Sequence, residues 1–284
     1  MRPQNTPVGK CRRHVLSATF GQRASAYFCR AHKPLNNFPL SGNTIQTPIR
    51  KALERPTIDV IIPAWNEEHA VGKVLDDIPR AWVREIVVAD NGSSDATATV
   101  ARAHGATVVH ERRQGYGSAC LCAMRYLAAK PADEQPDIVV FMDADYSDQP
   151  EELPLVVRPI IEEGYDLVIG SRALGQLEPG AMMPQQIFGN WLATTLIRLI
   201  YGYRFTDLGP FRAIRWDRLL ALGMEDPDYG WTVEMQVRAA KAGLRCTEVP
   251  VSYRKRVGVS KVSGTLKGTL LAGHKILWTI FKLL

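Results

Sequence analysis

From Thr57 onward the chain alternates between short apolar runs and longer stretches in which apolar residues recur every three to four positions. The runs are IDVIIP (58–63), EIVVAD (85–90), ATVVH (106–110), DIVVFMD (137–143) and DLVIGS (166–171). Each is rich in β-branched residues and nearly continuous in hydrophobicity, the pattern of strands covered on both faces. The stretches between them, at 67–78, 94–104, 116–129 and 150–163, carry helical spacing. Such alternation predicts an α/β domain: a doubly wound, mostly parallel sheet with flanking helices. After Ser171 the regularity stops. A helix is expected over 187–201, a strand or turn at DLGPFRAI, a helix over 231–242 and a strand in RCTEVPVSY. The final stretch, 265–284, sets Leu266, Leu270, Leu277, Ile280, Phe281 and Leu284 at helical intervals, with Lys267, His274, Lys275 and Lys282 largely off that stripe. This predicts a C-terminal amphipathic helix, either lying on a membrane surface or docked on its own core.

Sheets of this kind bind ligands at the carboxyl ends of their strands. Three of the runs end there in polar clusters: AWNEE (64–68), DNGSSD (90–95) and DADYSD (143–148). In the last, Asp143 and Asp145 share a face of extended backbone, so together they suit one hard cation, Mg²⁺ or Mn²⁺. Two carboxylates are a half-site, completed by water and a substrate diphosphate. Asp148, Glu151 and Glu152 read instead as the start of the helix at Pro150, with Asp148 or Gln149 as its cap. Asp90 ends its strand and is free to accept from a ribose or base, while Ser94 or Asp95 caps the next helix. A nicotinamide cofactor is excluded, because PAWNEEHAVG stands where its glycine motif would be. RRQGYGSA (112–119) reads either as a phosphate-binding helix start or as a plain tight turn. Arg172 in GSR, Arg212 in GPFR, and the cluster of Arg254, Arg256, Ser260 and Lys261 around Gly258 offer cations for a phosphate. Glu234 stands four residues before Arg238. It reads equally as a helical ion pair and as an acceptor-site carboxylate, with Asp226 a second such carboxylate.

Charge sharpens the picture. The net charge of +6 over 284 residues hides an acidic body. Residues 1–50 hold eight Lys/Arg and no acid, and residues 251–284 seven and none, leaving 20 basic residues against all 29 acids in 51–250. That distribution suits a metal site in the body and an anionic partner at the C-terminal edge, and it does not suit a nucleic-acid binder. Five cysteines without a CxxC pair exclude a zinc site or disulfide framework and favour a reducing, cytoplasmic setting. No run of eighteen apolar residues occurs, so no transmembrane helix is expected. Residues 1–50 read as a basic, disordered extension, with a targeting or membrane-surface arm as the other reading.

Taken in order, VIIPAWNEE, VVADNGSSDAT, FMDAD, VIGSR, DLGPFRAI and WTVEMQVRAAKAGLRCTEVPVSYRKRVGVSK resemble the family 2 inverting glycosyltransferases of GT-A fold. The later blocks resemble its dolichyl- or polyprenyl-phosphate hexosyltransferase branch. The likeness covers about 57–265 and implies a glycosyltransferase domain over 51–264. It implies that Pro63, Ala64, Asn66 and Glu67 border the nucleotide, that Asp90 binds its base or ribose, and that Asp143 and Asp145 hold the metal and sugar diphosphate. It further implies that Arg172 and Arg212 bind an acceptor phosphate, with Arg256, Ser260 and Lys261 on a loop closing over the substrates. Asp145, Arg172, Arg212 and Glu234 are the candidate catalytic set. Three departures stand out: Ser147 replaces the Gln that follows the metal motif, GPFR replaces GFR, and the chain ends without membrane spans. The expected reaction is metal-dependent, inverting transfer of a hexose from a UDP- or GDP-sugar to a lipid phosphate at the cytoplasmic face of a membrane. A hydroxyl acceptor, or a nucleotide-sugar-binding subunit with a membrane-protein partner, are the alternatives, and a homo-oligomer is left open.

Overall fold

The computed structural model describes residues 55–258 and 266–284. The expectation for residues 1–50, and the roles given to Ser260 and Lys261, lie outside the described residues.

The apolar runs become strands β1 (Ile58–Ala64), β2 (Glu85–Asp90), β3 (Thr107–His110), β4 (Ile138–Phe141) and β5 (Leu167–Ser171), joined by β6 (Arg212–Arg215) and β7 (Cys246–Pro250). They form one seven-stranded sheet in the order β3-β2-β1-β4-β6-β5-β7. All neighbours run parallel except β6, which is antiparallel to both β4 and β5. Side chains of period two divide between two cores. Val87, Val139, Phe141, Leu167, Ile169 and Ile214 face one side. Val60, Ile62, Val88, Val140, Val168 and Ala213 face the other. Each such Val, Ile, Leu or Phe contributes about 1.5–3 kcal/mol by its burial.

Helices α1 (Val71–Asp77), α2 (Thr97–Ala103) and α4 (Leu153–Glu163, entered through a 3₁₀ turn at Pro150–Glu152) cover the second face. Helices α3 (Tyr116–Ala128), α5 (Pro184–Tyr201), α6 (Trp216–Leu222), α7 (Trp231–Lys241) and α8 (Leu266–Lys282) cover the first. Two expectations about helix starts change. Asp148 is buried and caps nothing, and Gln149 makes no side-chain cap. The short helix α6, unforeseen in the sequence, follows β6 without a break.

The register fixes the site. Ala64 lies beside Asp90, and Ile61 beside Phe141, so the ends of β1, β2 and β4 open on one crevice. Because β6 runs the opposite way, its first residue, Arg212, pairs with Phe141 and Ile169 at that same edge.

Helix α8 docks on the core by one face. Thr279 and Ile280 are buried, Lys275 Nζ lies 2.9 Å from Asp226, and the Tyr201 hydroxyl donates to the Ile280 carbonyl. Its outward face carries Leu271, Trp278 and Phe281, so Phe281 does not share the buried stripe with Ile280. Among the described residues no helix is long and apolar enough to cross a membrane.

Candidate active site

The loops after β1 and β2 are clasped together. Asn66, with left-handed backbone (φ 54°), accepts from the Ser94 N–H at 2.8 Å and donates its own N–H to Ser93 Oγ at 2.9 Å. Glu67 N–H donates to Thr97 Oγ1 at 2.7 Å, and Glu68 Oε2 accepts the Ala96 N–H at 2.9 Å. The Asp95 carboxylate accepts from the Thr97 N–H at 3.0 Å, as a helix-start acid should. Much of AWNEE and DNGSSD thus serves to hold two strand ends in register. Asp90 is buried, accepting from the Ser93 N–H and lying 3.0 Å from His110 Nδ1. Beside these loops lies a cleft of about 570 Å³, lined by Pro63, Ala64, Glu67, Asp143, Asp145, Arg172 and Arg256 among the expected residues. Asn66, Asp90, Arg212 and Glu234 do not line it.

On the cleft floor Asp143 accepts from the Tyr116 hydroxyl at 3.0 Å. Burial, and then the neighbouring Asp145 charge, push its pKa up to about 7. Asp145 accepts from the Ser147 N–H at 2.9 Å and its hydroxyl at 2.5 Å, and pairs with Arg256 at 2.8 Å. Asp148 stands behind both. Burial raises its pKa well above the ordinary carboxylate range, and its Oδ1 has no partner.

Arg256 reaches Asp145 because segment 253–257 is strapped to the acid loop. The Arg254 guanidinium stacks 3.3 Å over the Tyr146 ring centroid and donates to the carbonyls of Tyr146 and Asp148, while Val257 N–H donates to the Asp145 carbonyl. Arg254, read earlier as a phosphate ligand, is a structural strap. Burial opposes the charge on Arg256 and the Asp145 carboxylate outweighs it, so its pKa is raised. Arg172 forms a two-pronged pair with Asp207 at 2.7 and 2.8 Å and lies over Tyr253. Arg212 is only 1% exposed. It donates to the carbonyls of Leu208, Gly209 and Thr232, and burial lowers its pKa to about 10. It lies beneath the cleft and does not open onto it.

Glu234 is committed as well. Its carboxylate accepts the N–H groups of Glu225 and Asp226 and pairs with Arg238 at 2.8 Å. Asp226 accepts from the N–H groups of Asp228 and Gly230 and holds Lys275. Together they shape loop 225–230, which carries Asp228 and Tyr229 into the cleft. The loop presses against the start of α3: a Cβ on Gly117 would lie 1.9 Å from the Asp226 carbonyl, and the Ser118 N–H donates to the Pro227 carbonyl at 2.8 Å. The glycines of RRQGYGSA are therefore needed for close backbone approach. Gly117→Ala is expected to lower stability by about 1–3 kcal/mol in thermal or denaturant unfolding.

Sequence reasoning missed Tyr116, Asp228, Tyr253 and Trp65 as cleft residues. The acid run MEDPD held the signal for Asp228, since three carboxylates on so short a loop cannot all be satisfied internally.

Residues 59–220 match the family described as Glycosyl transferase family 2. The chain belongs to that family. It is a hexosyltransferase of GT-A fold. It is 41% identical over 218 residues to an uncharacterized glycosyltransferase of Mycobacterium tuberculosis, covering 76% of this chain and 94% of the relative. It is 32% identical to the undecaprenyl-phosphate mannosyltransferase of Micrococcus luteus (73% and 88% covered) and 33% to a dolichyl-phosphate hexose transferase of Haloferax volcanii (72% and 85%). The crystal structure of Mycobacterium tuberculosis glucosyl-3-phosphoglycerate synthase with Mn²⁺, UDP and glucosyl-3-phosphoglycerate is similar at a TM-score of 0.61, with 26% identity and 80% of each chain covered.

For a family 2 glycosyltransferase the acid loop has a consistent chemistry. Its donors are all oxygens, two carboxylates repel across a buried floor, and Asp148 Oδ1 is an orphaned acceptor. This fits a hard divalent cation. Among the described residues no three His, Cys, Asp or Glu side chains converge on a metal position. Asp143 and Asp145, both on the cleft, are the side chains that could hold such a cation.

Proposed function

We propose that this glycosyltransferase moves a hexose, with inversion, from a UDP- or GDP-hexose to a polyprenyl or dolichyl phosphate, with Mg²⁺ or Mn²⁺ on Asp143 and Asp145. The bound cation supplies Lewis-acid neutralisation of the departing diphosphate. Pro63, Ala64 and Glu67 border the donor. Asp90 is assigned to the nucleotide base or ribose, acting from just behind the cleft wall. Arg256 leaves Asp145 for a phosphate oxygen once substrates bind. Arg172, fixed by Asp207 and Tyr253, orients the acceptor phosphate.

The observation that carries this reading is how the charged side chains are used. The carboxylates read as acceptor-site candidates, Glu234 and Asp226, are consumed by backbone amides and by Arg238 and Lys275, whereas two guanidiniums line the cleft. A phosphate monoester, with its second pKa near ~6, needs positioning and no base. The relatives named for undecaprenyl-phosphate and dolichyl-phosphate transfer support the same acceptor class.

One observation favours a second reading, a hydroxyl acceptor on a small phosphorylated molecule: Asp228 lines the cleft, and burial raises its pKa. The similar solved structures, of a synthase that glucosylates phosphoglycerate, support it too. Asp228→Asn separates the two. With a phosphate acceptor the turnover number should stay within about tenfold of the parent. A hydroxyl acceptor that used Asp228 as base would lose about 10²–10⁴. Initial rates of nucleoside-diphosphate release across pH decide it.

A further inference from the structure

We infer that Tyr146 is a positioning residue: its ring is the platform on which segment 253–257 docks, and so it sets where Arg256 meets the acid loop. Among the described residues, Asn66 and Tyr146 are the non-glycine positions with left-handed backbone, Tyr146 at φ 63°. Asparagine adopts that conformation readily and a tyrosine seldom does. Glycine would sit there without strain, so the contacts of the Tyr146 side chain must offset what its backbone costs. The Tyr146 hydroxyl donates to Asp77 Oδ2 at 2.5 Å, which ties the ring to the end of α1. The Arg254 guanidinium lies 3.3 Å from the ring centroid, and its Nη2 is 3.9 Å from the same Asp77 oxygen. Lys73 Nζ approaches the ring at 5.9 Å. Ring and carboxylate together fix the plane and the position of the Arg254 guanidinium.

Arg254 in turn fixes the register of two segments. Its N–H donates to the Ser147 carbonyl at 2.9 Å, Tyr253 bridges Asp148 in antiparallel fashion, and the Val257 N–H donates to the Asp145 carbonyl at 2.9 Å. The pairing brings Arg256 opposite Asp145, where the side chains meet at 2.8 Å. On the other edge, the Tyr253 N–H donates to the Gln176 carbonyl and the Lys255 N–H to Glu178. That edge stays anchored whatever stands at position 146, while the edge facing the acid loop depends on the Arg254 stack. Burial adds little there, because Arg254, Arg256 and Val257 are only half-buried and Lys255 is exposed. The inference deepens the proposed function and rests on it for what Arg256 does once substrates bind. Docking of the segment is measured without substrates, so either can fail alone.

The test is backbone hydrogen exchange of the full chain without substrates, read by mass spectrometry on peptides spanning 253–257, in the parent, Tyr146→Gly and Tyr146→Phe. In Tyr146→Gly these amides should exchange about tenfold faster, the loss of one close cation–π stack. The melting temperature should hold within a few degrees, because glycine relieves the strained backbone as the ring is lost. Tyr146→Phe keeps the platform and should restore slow exchange. In steady-state assays with a short polyprenyl phosphate, or with 3-phosphoglycerate where that is the acceptor that turns over, Tyr146→Gly should raise the acceptor KM about tenfold and leave kcat within about threefold. Three results would each overturn the inference: unchanged exchange in Tyr146→Gly, exchange as fast in Tyr146→Phe as in Tyr146→Gly, or early melting with faster exchange throughout the sheet. Faster exchange confined to 253–257 with an unchanged acceptor KM would uphold the platform and overturn the substrate role given to Arg256.

Discussion

Asp145→Ala should cut nucleoside-diphosphate release by about 10³-fold or more and leave the fold intact. Both halves follow from the local charge. Asp145 lines the cleft beside Asp143 and pairs with Arg256, so its removal would leave the proposed cation site with one carboxylate. It is also one of the charges that, after burial, hold Asp143 and Asp148 above the ordinary carboxylate range. Deleting it relieves that repulsion, which offsets the loss of its bonds to Ser147 and Arg256, so the melting temperature should hold within a few degrees. Calorimetric titration of Mn²⁺ with nucleoside diphosphate should find coupled binding in the parent and none in the variant. A variant that melted early would make Asp145 a structural acid.

Arg212→Ala should do the reverse: stability is expected to fall by about 3–5 kcal/mol. Arg212 is among the largest fully buried side chains, and its guanidinium satisfies the carbonyls of Leu208, Gly209 and Thr232. Truncation opens a cavity and leaves these acceptors unpaired in a site closed to water. Denaturant unfolding should register the loss as a lower midpoint with unchanged slope. In Arg212→Lys, the fraction that folds should keep the parent's KM for acceptor, because Arg212 does not reach the cleft. A raised acceptor KM in a fully stable variant would restore it to the acceptor site, as the family resemblance implies.

The contrast between these two residues marks what the sequence made legible. Continuous apolar runs and the period of 3.6 located β1 to β5 and most helices, because each burial pattern is local. Strand ends rich in Asp and Asn pointed to one crevice, since parallel strands carry their carboxyl ends to one edge. What such patterns do not carry is which polar side chain is already satisfied. Arg172 finds its partner at Asp207 and Asp145 finds Arg256 more than a hundred residues away. Glu248 accepts the Thr206 and Asp207 amides that hold the Arg172 partner in place. Glu234 was singled out and Asp228 was missed, and only the fold assigns the first to two amides and an arginine and the second to the cleft. Arg212 was misread for a related reason. An antiparallel strand brings it to the ligand edge, and its side chain then turns inward under that edge.

The most direct test of the central claim is nucleoside-diphosphate release by the purified chain with Mn²⁺ or Mg²⁺. UDP-glucose and GDP-mannose would each be paired with a short polyprenyl phosphate, the matching free alcohol, and 3-phosphoglycerate. The proposed function predicts release that requires the lipid phosphate and the divalent ion, and that fails with the alcohol. Release with the alcohol or with 3-phosphoglycerate, and none with the lipid phosphate, would contradict it and make the acceptor a hydroxyl.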